Sequence, residues 1–116
     1  MGSEMCIRDR VEGKHVVVLE DLVDSGLSMG AFLRHVVEGG ALSVAVLTAL
    51  NKPAARKHPL PNDVAVLSAF AVHKDLWATG FGMDIDGEWR DLKGIWAPRP
   101  QLEQVPENQR YSPTWR

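Results

Sequence analysis

The sequence predicts an α/β domain built on a mostly parallel sheet, and three consecutive segments carry that prediction. Val16–Leu19 is an unbroken apolar run, which is typical of a strand buried on both faces. A helix is predicted from Ser28, its N-cap, through about Glu38, because apolar residues recur there at helical spacing and Gly39 follows as a stop signal. Ser43–Leu50 is a second apolar run. A strand, a helix and a strand in this order form a right-handed crossover, so we expect the two strands to be parallel.

The second half of the chain is predicted to hold shorter elements and more loop. Residues 51–63 carry three prolines and three basic residues, which predicts a long loop. Further strands are predicted at Val64–Phe70, Leu76–Phe81 and Ile95–Ala97, with a turn or short helix over Asp86–Leu92. From Pro98 onward the chain is polar and rich in proline, which predicts an irregular tail.

The predicted helices are too few for the predicted sheet. A parallel sheet needs helices on both faces, and only one long helix is predicted. We therefore expect one face of the Val16–Leu19 and Ser43–Leu50 strands to lie open and apolar. Either another chain buries that face, or the sequence is the C-terminal part of a larger domain, and the unusual residues 1–10 favour the second explanation. Residues 1–10 resemble a translated sequencing-adapter remnant, which predicts a non-native leader, a core over 11–97 and a tail over 98–116.

Composition and charge exclude several classes of partner. At 116 residues the chain forms one domain at most. Its net charge of −2 gives no general attraction to nucleic acid or to anionic membrane. Cys6 is the single cysteine, which excludes an internal disulfide and agrees with a reducing compartment. We expect a cytoplasmic protein that binds neither nucleic acid nor membrane.

Acidic and hydroxyl residues follow the first predicted strand. Glu20 and Asp21 come directly after it, and Asp24 opens a turn that continues through residues 25–28. Ligands of open α/β sheets bind at the carboxyl ends of the strands. A turn rich in Gly and Ser that leads into a helix offers N–H groups and a positive dipole end to an anion, and neighbouring carboxylates hold sugar hydroxyls or a divalent cation. The pattern therefore predicts a site for a phosphorylated sugar with Mg²⁺.

Residues 16–28, VVVLEDLVDSGLS, resemble the phosphoribosyl-diphosphate (PRPP) motif of the type I phosphoribosyltransferases. That motif is an apolar strand, an acidic pair, two apolar residues, Asp, Ser or Thr, Gly, any residue, and Ser or Thr, and every position is filled here. Residues 50–53 (LNKP), 77–84 (WATGFGMD) and 90–92 (RDL) are similar to the hypoxanthine-guanine branch of that family. The resemblance runs from about Lys14 to Pro98 and implies the mostly parallel sheet of the type I fold, truncated at its N-terminus.

The resemblance implies a role for each residue of the first motif. Glu20 and Asp21 hold the ribose hydroxyls and a Mg²⁺. Asp24 is the catalytic residue, a general base or acid near N7 of the purine. The 5′-phosphate is cradled by the turn that follows Asp24, namely Ser25, Gly26, Leu27 and Ser28.

The resemblance also implies contacts to the base and to pyrophosphate. Lys52 donates to the purine 6-oxo group, Trp77 stacks on the base, and Ala78 meets the edge of the base through its backbone. Asp84 binds a second Mg²⁺, and Arg90 contacts pyrophosphate.

Three of these residues have ordinary structural explanations as well. Lys52 fits a solvated loop lysine, Trp77 fits a core aromatic, and Arg90 next to Asp91 fits a surface ion pair.

The function implied by the resemblance is purine salvage. The enzyme transfers the phosphoribosyl group of PRPP to hypoxanthine or guanine and gives IMP or GMP plus pyrophosphate. The alternatives are a non-catalytic PRPP- or nucleotide-sensing regulatory protein on the same fold and a phosphoacceptor domain. The family's pyrophosphate loop and mobile lid have no match in this sequence, so we expect the chain by itself to be inactive and the full-length form to be a homo-oligomer.

Overall fold

The computed structural model describes residues 10–114, and a four-stranded sheet forms its centre. The strands lie side by side in chain order: β1 (His15–Val23), β2 (Ser43–Asn51), β3 (Ala65–Val72) and β4 (Tyr111–Pro113). The first three strands run parallel, and β4 pairs antiparallel with β3. The predicted α/β class and the parallel pairing of the first two strands are confirmed. Of the predicted leader, only residue 10 lies within the described residues.

Helix α1 (Leu27–Glu38) connects β1 to β2 and covers one face of the sheet. Its residues Leu33 and Val36 are buried against Val44 and Val46 of β2, which confirms the predicted apolar stripe. The prediction that Ser28 is the N-cap is wrong, since Ser28 lies inside the first turn and the N-cap is Gly26. Gly26 adopts a left-handed conformation with φ of 88°, so the backbone of a glycine makes the entry turn, and no side chain caps the helix.

Strand β1 is longer than its apolar run. The register pairs Glu20 with Thr48 and Val23 with Asn51, so the ladder continues beyond Leu19 through the acidic residues. Backbone hydrogen bonding does not depend on side-chain polarity, and the apolar pattern therefore marked only part of the strand. As a result the acidic pair lies within β1, as the sixth and seventh of its nine residues.

The face of the sheet opposite α1 carries exposed apolar side chains. Leu19, Leu47 and Leu67 lie in one row across three strands, and their exposed fractions are 75%, 48% and 60%. Neighbours on each strand point to the other face, where α1 covers them. The predicted open apolar face is therefore confirmed for the described residues.

Residues 76–97 form a folded loop rather than the predicted strands. Only isolated bridges occur there, such as the one between Thr79 and Trp96, so the strands predicted at Leu76–Phe81 and Ile95–Ala97 are wrong. Gly80 and Phe81 both have positive φ, 87° and 53°, which bends the backbone away from a ladder.

This 76–97 loop is fixed to the end of the sheet by packing. Ala78 and Met83 are buried against Leu50 near the carboxyl end of β2, and Leu22 of β1 packs against the same cluster. The loop that carries the predicted base contacts is therefore anchored at the sheet edge where β1 and β2 end.

The segment of residues 98–114 has regular structure, which contradicts the irregular tail predicted there. It contains helix α2 (Arg99–Gln104), helix α3 (Glu107–Arg110) and β4. Proline at the start of a helix costs no hydrogen bond, and the N-cap of each short helix is a proline, Pro98 or Pro106. Val105 is buried between them, and Arg110 donates to the carbonyls of Leu102 and Val105. No helix among residues 10–114 has the length and apolarity needed to cross a bilayer.

Candidate functional site

Two charged side chains meet where β1 and β2 end. Nζ of Lys52 lies 3.5 Å from Oδ2 of Asp24, and the N–H of Lys52 donates to the carbonyl of Val23. The Lys52 side chain is only 4% exposed, whereas that of Asp24 is 48% exposed. Lys52 is therefore not a solvated loop lysine. A buried ammonium needs a partner charge, and Asp24 supplies it from the solvent side.

The acidic pair lies just before Asp24 on β1. Oε1 of Glu20 accepts from the N–H of Asp21 at 3.0 Å, and Oδ1 of Asp21 accepts from the N–H of Leu22 at 2.7 Å. Burial, helped by a side-chain hydrogen bond and by repulsion from Asp21, raises the pKa of Glu20. Two crowded carboxylates of this kind are stabilised by a cation, and their oxygen atoms are the donors that Mg²⁺ prefers.

Mg²⁺ in a phosphate site commonly takes one or two carboxylates from the protein and the remaining oxygens from substrate and water. Within residues 10–114 no group of three or more His, Cys, Asp or Glu side chains is arranged to hold a metal ion. The pair Glu20 and Asp21 would supply two carboxylates to such a site.

The turn of residues 24–26 leads directly into α1. The first N–H groups of a helix have no intrahelical acceptor, and the helix dipole places partial positive charge there. Oγ of Ser25 accepts from the N–H of Leu27, but only at 3.4 Å. Gly26 is enclosed as well as left-handed, since a Cβ on it would lie 2.3 Å from the carbonyl oxygen of His58. The turn therefore presents backbone donors at a place where only glycine fits.

The segment after β2 packs against this turn. The carbonyl of Ser25 accepts from the N–H groups of both Lys57 and His58, at 2.9 and 3.0 Å. The Arg56 guanidinium donates to the carbonyl of Asp24 and to Oδ1 of Asn51. Sequence reasoning missed Arg56. The sequence feature that could have indicated it is Pro53, which starts the 3₁₀ turn Pro53–Ala55 directly before Arg56.

The predicted base and pyrophosphate residues lie on the 76–97 loop. Trp77 is 55% exposed, so it is not a core aromatic, and its Nε1 donates to the carbonyl of Asp84 at 3.2 Å. Arg90 pairs with Asp84 at 3.1 Å rather than with Asp91. Its guanidinium also donates to the carbonyl of Gly82. The two predicted ligand-binding charges of this loop therefore neutralise each other in the structure.

The structure thus assembles the predicted residues in two groups. One group is the acidic pair, the turn before α1 and Lys52, which lie toward the carboxyl ends of β1 and β2, where Asp24 contacts Lys52. The other is Trp77, Asp84 and Arg90, which contact one another on the 76–97 loop. Ala78 links the groups, because it packs on Leu50 two residues before Lys52.

Most of this chain is similar in sequence to known proteins. A family model described as the phosphoribosyl transferase domain matches residues 7–86. The hypoxanthine-guanine phosphoribosyltransferase of Mycobacterium avium is 35% identical over 94 residues, which is 81% of this chain and 44% of that protein. The enzyme of the same name from Bacillus subtilis is 31% identical over 104 residues, which is 87% of this chain and 56% of that protein. The chain therefore spans about half the length of these curated relatives.

Solved structures show the same partial overlap. A Leishmania tarentolae HGPRT-ase in complex with GMP aligns with a TM-score of 0.66 and 27% identity, covering 79% of this chain and 52% of that one. A Trypanosoma cruzi hypoxanthine phosphoribosyltransferase complexed with the product IMP aligns with a TM-score of 0.65 and 26% identity, covering 81% of this chain and 48% of that one.

Proposed function

Because the chain belongs to the phosphoribosyl transferase domain family, we propose that it forms the nucleotide-binding half of a purine-salvage enzyme that transfers phosphoribosyl from PRPP to hypoxanthine or guanine. The observation that carries this proposal is the buried Lys52 held beside Asp24, next to a turn that leads into a helix N-terminus. This arrangement supports the proposal because an ammonium, a carboxylate and a helix N-terminus lie at one sheet edge. The relatives named hypoxanthine-guanine phosphoribosyltransferase support the same substrate class.

Lys52 sets the choice of base in this proposal. Its ammonium donates to the 6-oxo group of hypoxanthine or guanine, whereas adenine presents an amino group, which is itself a donor, at the same position. A donor facing a donor leaves two buried polar groups unpaired, and such mismatches discriminate strongly between substrates. The burial of Lys52 supports this role because its side chain has little water to bind instead.

Asp24 is the general base in the proposed reaction. N9 of the purine forms a bond to C1 of the ribose while the bond from C1 to the pyrophosphate oxygen breaks. The proton displaced from the base passes to the Asp24 carboxylate from N7, and pyrophosphate leaves with the electron pair of the broken bond.

The remaining residues bind the phosphorylated parts of the substrates. Residues 25–28 hold the 5′-phosphate, and Glu20 with Asp21 holds the ribose hydroxyls. Mg²⁺, when bound by this acidic pair, offsets the negative charge of the diphosphate. Asp84 would hold a second Mg²⁺ and Arg90 would contact pyrophosphate in place of their mutual ion pair. The exposed face of Trp77 stacks on the base.

Nucleotide selectivity tests the proposal directly. The 116-residue chain is titrated with GMP, IMP and AMP in the presence of Mg²⁺, by calorimetry or by quenching of tryptophan fluorescence. We expect GMP and IMP to bind at least about tenfold more tightly than AMP, which corresponds to about 1.4 kcal/mol. Equal affinity for the three nucleotides, or binding of none, contradicts the proposal.

A further inference from the structure

The Arg56 guanidinium joins two segments that are far apart in the sequence. One nitrogen, Nη1, donates to the backbone carbonyl of Asp24, and the other, Nη2, donates to Oδ1 of Asn51 at 2.6 Å. Both acceptors are thus held by one planar group, which a lysine ammonium on a flexible stem cannot reproduce. Burial lowers the pKa of Arg56, while the charge of Asp24 opposes that shift.

Two successive carbonyls of the turn point toward the segment after β2. The carbonyl of Asp24 faces Arg56, and the carbonyl of Ser25 faces the N–H groups of Lys57 and His58. In a planar trans peptide the C=O and the N–H point in opposite directions. Cis peptides are absent from the described residues. The N–H groups of Ser25 and Gly26 are therefore turned away from the 56–58 segment, side by side.

Adjacent N–H groups that point the same way form a concave anion site, especially next to a helix N-terminus. We propose that Arg56 is a positioning residue that orients this pair of N–H groups toward the 5′-phosphate. It does so by donating to the Asp24 carbonyl, which lies on the opposite side of the peptide from the N–H of Ser25. The inference rests on the proposed function and deepens it, since it assigns phosphate affinity to a residue that the phosphate itself does not contact.

Three variants of the full 116-residue chain test this role: Arg56→Met, Arg56→Lys and the control Lys57→Met. Lys57 is the neighbouring exposed cation, and its contact with the turn is made by the backbone alone. Each variant is titrated with GMP and with guanosine, and its Tm is measured. The ratio of the two affinities isolates the contribution of the phosphate, which a general loss of stability does not change.

We expect Arg56→Met to lower the affinity for GMP at least about tenfold and that for guanosine less than about twofold. Arg56→Lys keeps the charge but cannot bind both acceptors. It should therefore restore less than half of the GMP affinity that Arg56→Met loses. Lys57→Met should bind both ligands as the wild type does. Wild-type GMP affinity in Arg56→Met overturns the proposal. Full rescue by lysine also overturns it, because charge alone then suffices.

Hydrogen exchange in the absence of ligand separates this inference from the proposed function. Release of the Asp24 carbonyl should loosen the turn, so the amides of Lys57 and His58 should exchange at least about tenfold faster in Arg56→Met than in the wild type. Unchanged exchange overturns the positioning role even where GMP fails to bind. If Arg56→Met does not fold, Asn51→Ala removes one of the two acceptors of the guanidinium. It should then lower the affinity for GMP and speed exchange of the Lys57 and His58 amides, as expected for Arg56→Met.

Discussion

The Nζ of Lys52 lies 3.5 Å from Oδ2 of Asp24 because the parallel register of β1 and β2 ends on the residues just before them. Val23 pairs with Asn51, so the next residue on each strand leaves the sheet at the same point. The pairing of two backbones thus brings a carboxylate and an ammonium together from distant parts of the chain. Lys52 loses its water in this position, and Asp24 becomes its electrostatic partner.

Replacement of Lys52 by alanine should remove the preference for 6-oxopurines. We expect GMP and IMP to bind more weakly by about 1–3 kcal/mol, because the 6-oxo group loses its buried donor. AMP, which gains nothing from that donor, should bind almost as before. Calorimetric titration of the three nucleotides measures both effects, with Lys57→Ala as the exposed-lysine control from the same segment. Unchanged affinity for GMP in Lys52→Ala would count against the purine assignment.

Glu20→Gln should stabilise the protein at neutral pH and not at acidic pH. Burial raises the pKa of Glu20 in the folded state, so the folded chain binds the proton more tightly than the unfolded chain. That contribution to stability is complete below the ordinary pKa of 4.5 and is lost as the pH rises through the higher folded pKa. Glutamine stays neutral, so the advantage of the variant should grow between about pH 4 and pH 7.

Urea unfolding across this pH range measures the advantage. Glu12→Gln removes an exposed carboxylate away from the site and controls for the general loss of negative charge. A difference in the free energy of unfolding between wild type and Glu20→Gln that does not vary with pH contradicts the prediction.

Gly26→Ala should cost more stability than the same change at Gly13. Both glycines have positive φ, 88° and 72°, so alanine is strained at either position by roughly 1–2 kcal/mol. A Cβ at Gly13 meets no atom within 4 Å, whereas one at Gly26 would lie 2.3 Å from the carbonyl oxygen of His58. Only Gly26→Ala therefore has to move the 56–58 segment. Free energies of unfolding from urea titration compare the two variants, and equal losses refute the steric argument.

The open face of the sheet should cause self-association. Leu19, Leu47 and Leu67 expose a continuous apolar row, and monomeric proteins rarely leave a large apolar patch in water. We expect the chain to associate or aggregate as its concentration rises in analytical ultracentrifugation. The double variant Leu19→Lys with Leu67→Lys should shift it toward monomer. Leu42→Lys changes an equally exposed leucine outside this face and should have little effect. A wild-type chain that stays monomeric at high concentration contradicts this expectation.

The local pattern of the chain was sufficient for the first half of the fold. Apolar runs predicted β2 and the first part of β1, the stripe with Leu33 and Val36 predicted α1, and the order strand, helix, strand predicted the parallel pairing. The same logic failed after Leu76, where Gly80 and Phe81 take positive φ and the chain folds into a loop. It failed again after Pro98, since the two short helices there depend on the burial of Val105 and on Arg110, not on their own periodicity.

The sequence by itself predicted which residues bind a phosphorylated ligand, because the spacing of the acidic pair, Asp24 and Gly26 is a local property of one strand and one turn. It also determined the open face, since one helix cannot cover both sides of a sheet. Only the tertiary structure decided that Lys52 is buried and paired, that Arg90 pairs with Asp84, and that Arg56 donates to the Asp24 carbonyl. These contacts join residues on separate elements, and strand register and packing set them rather than any local pattern.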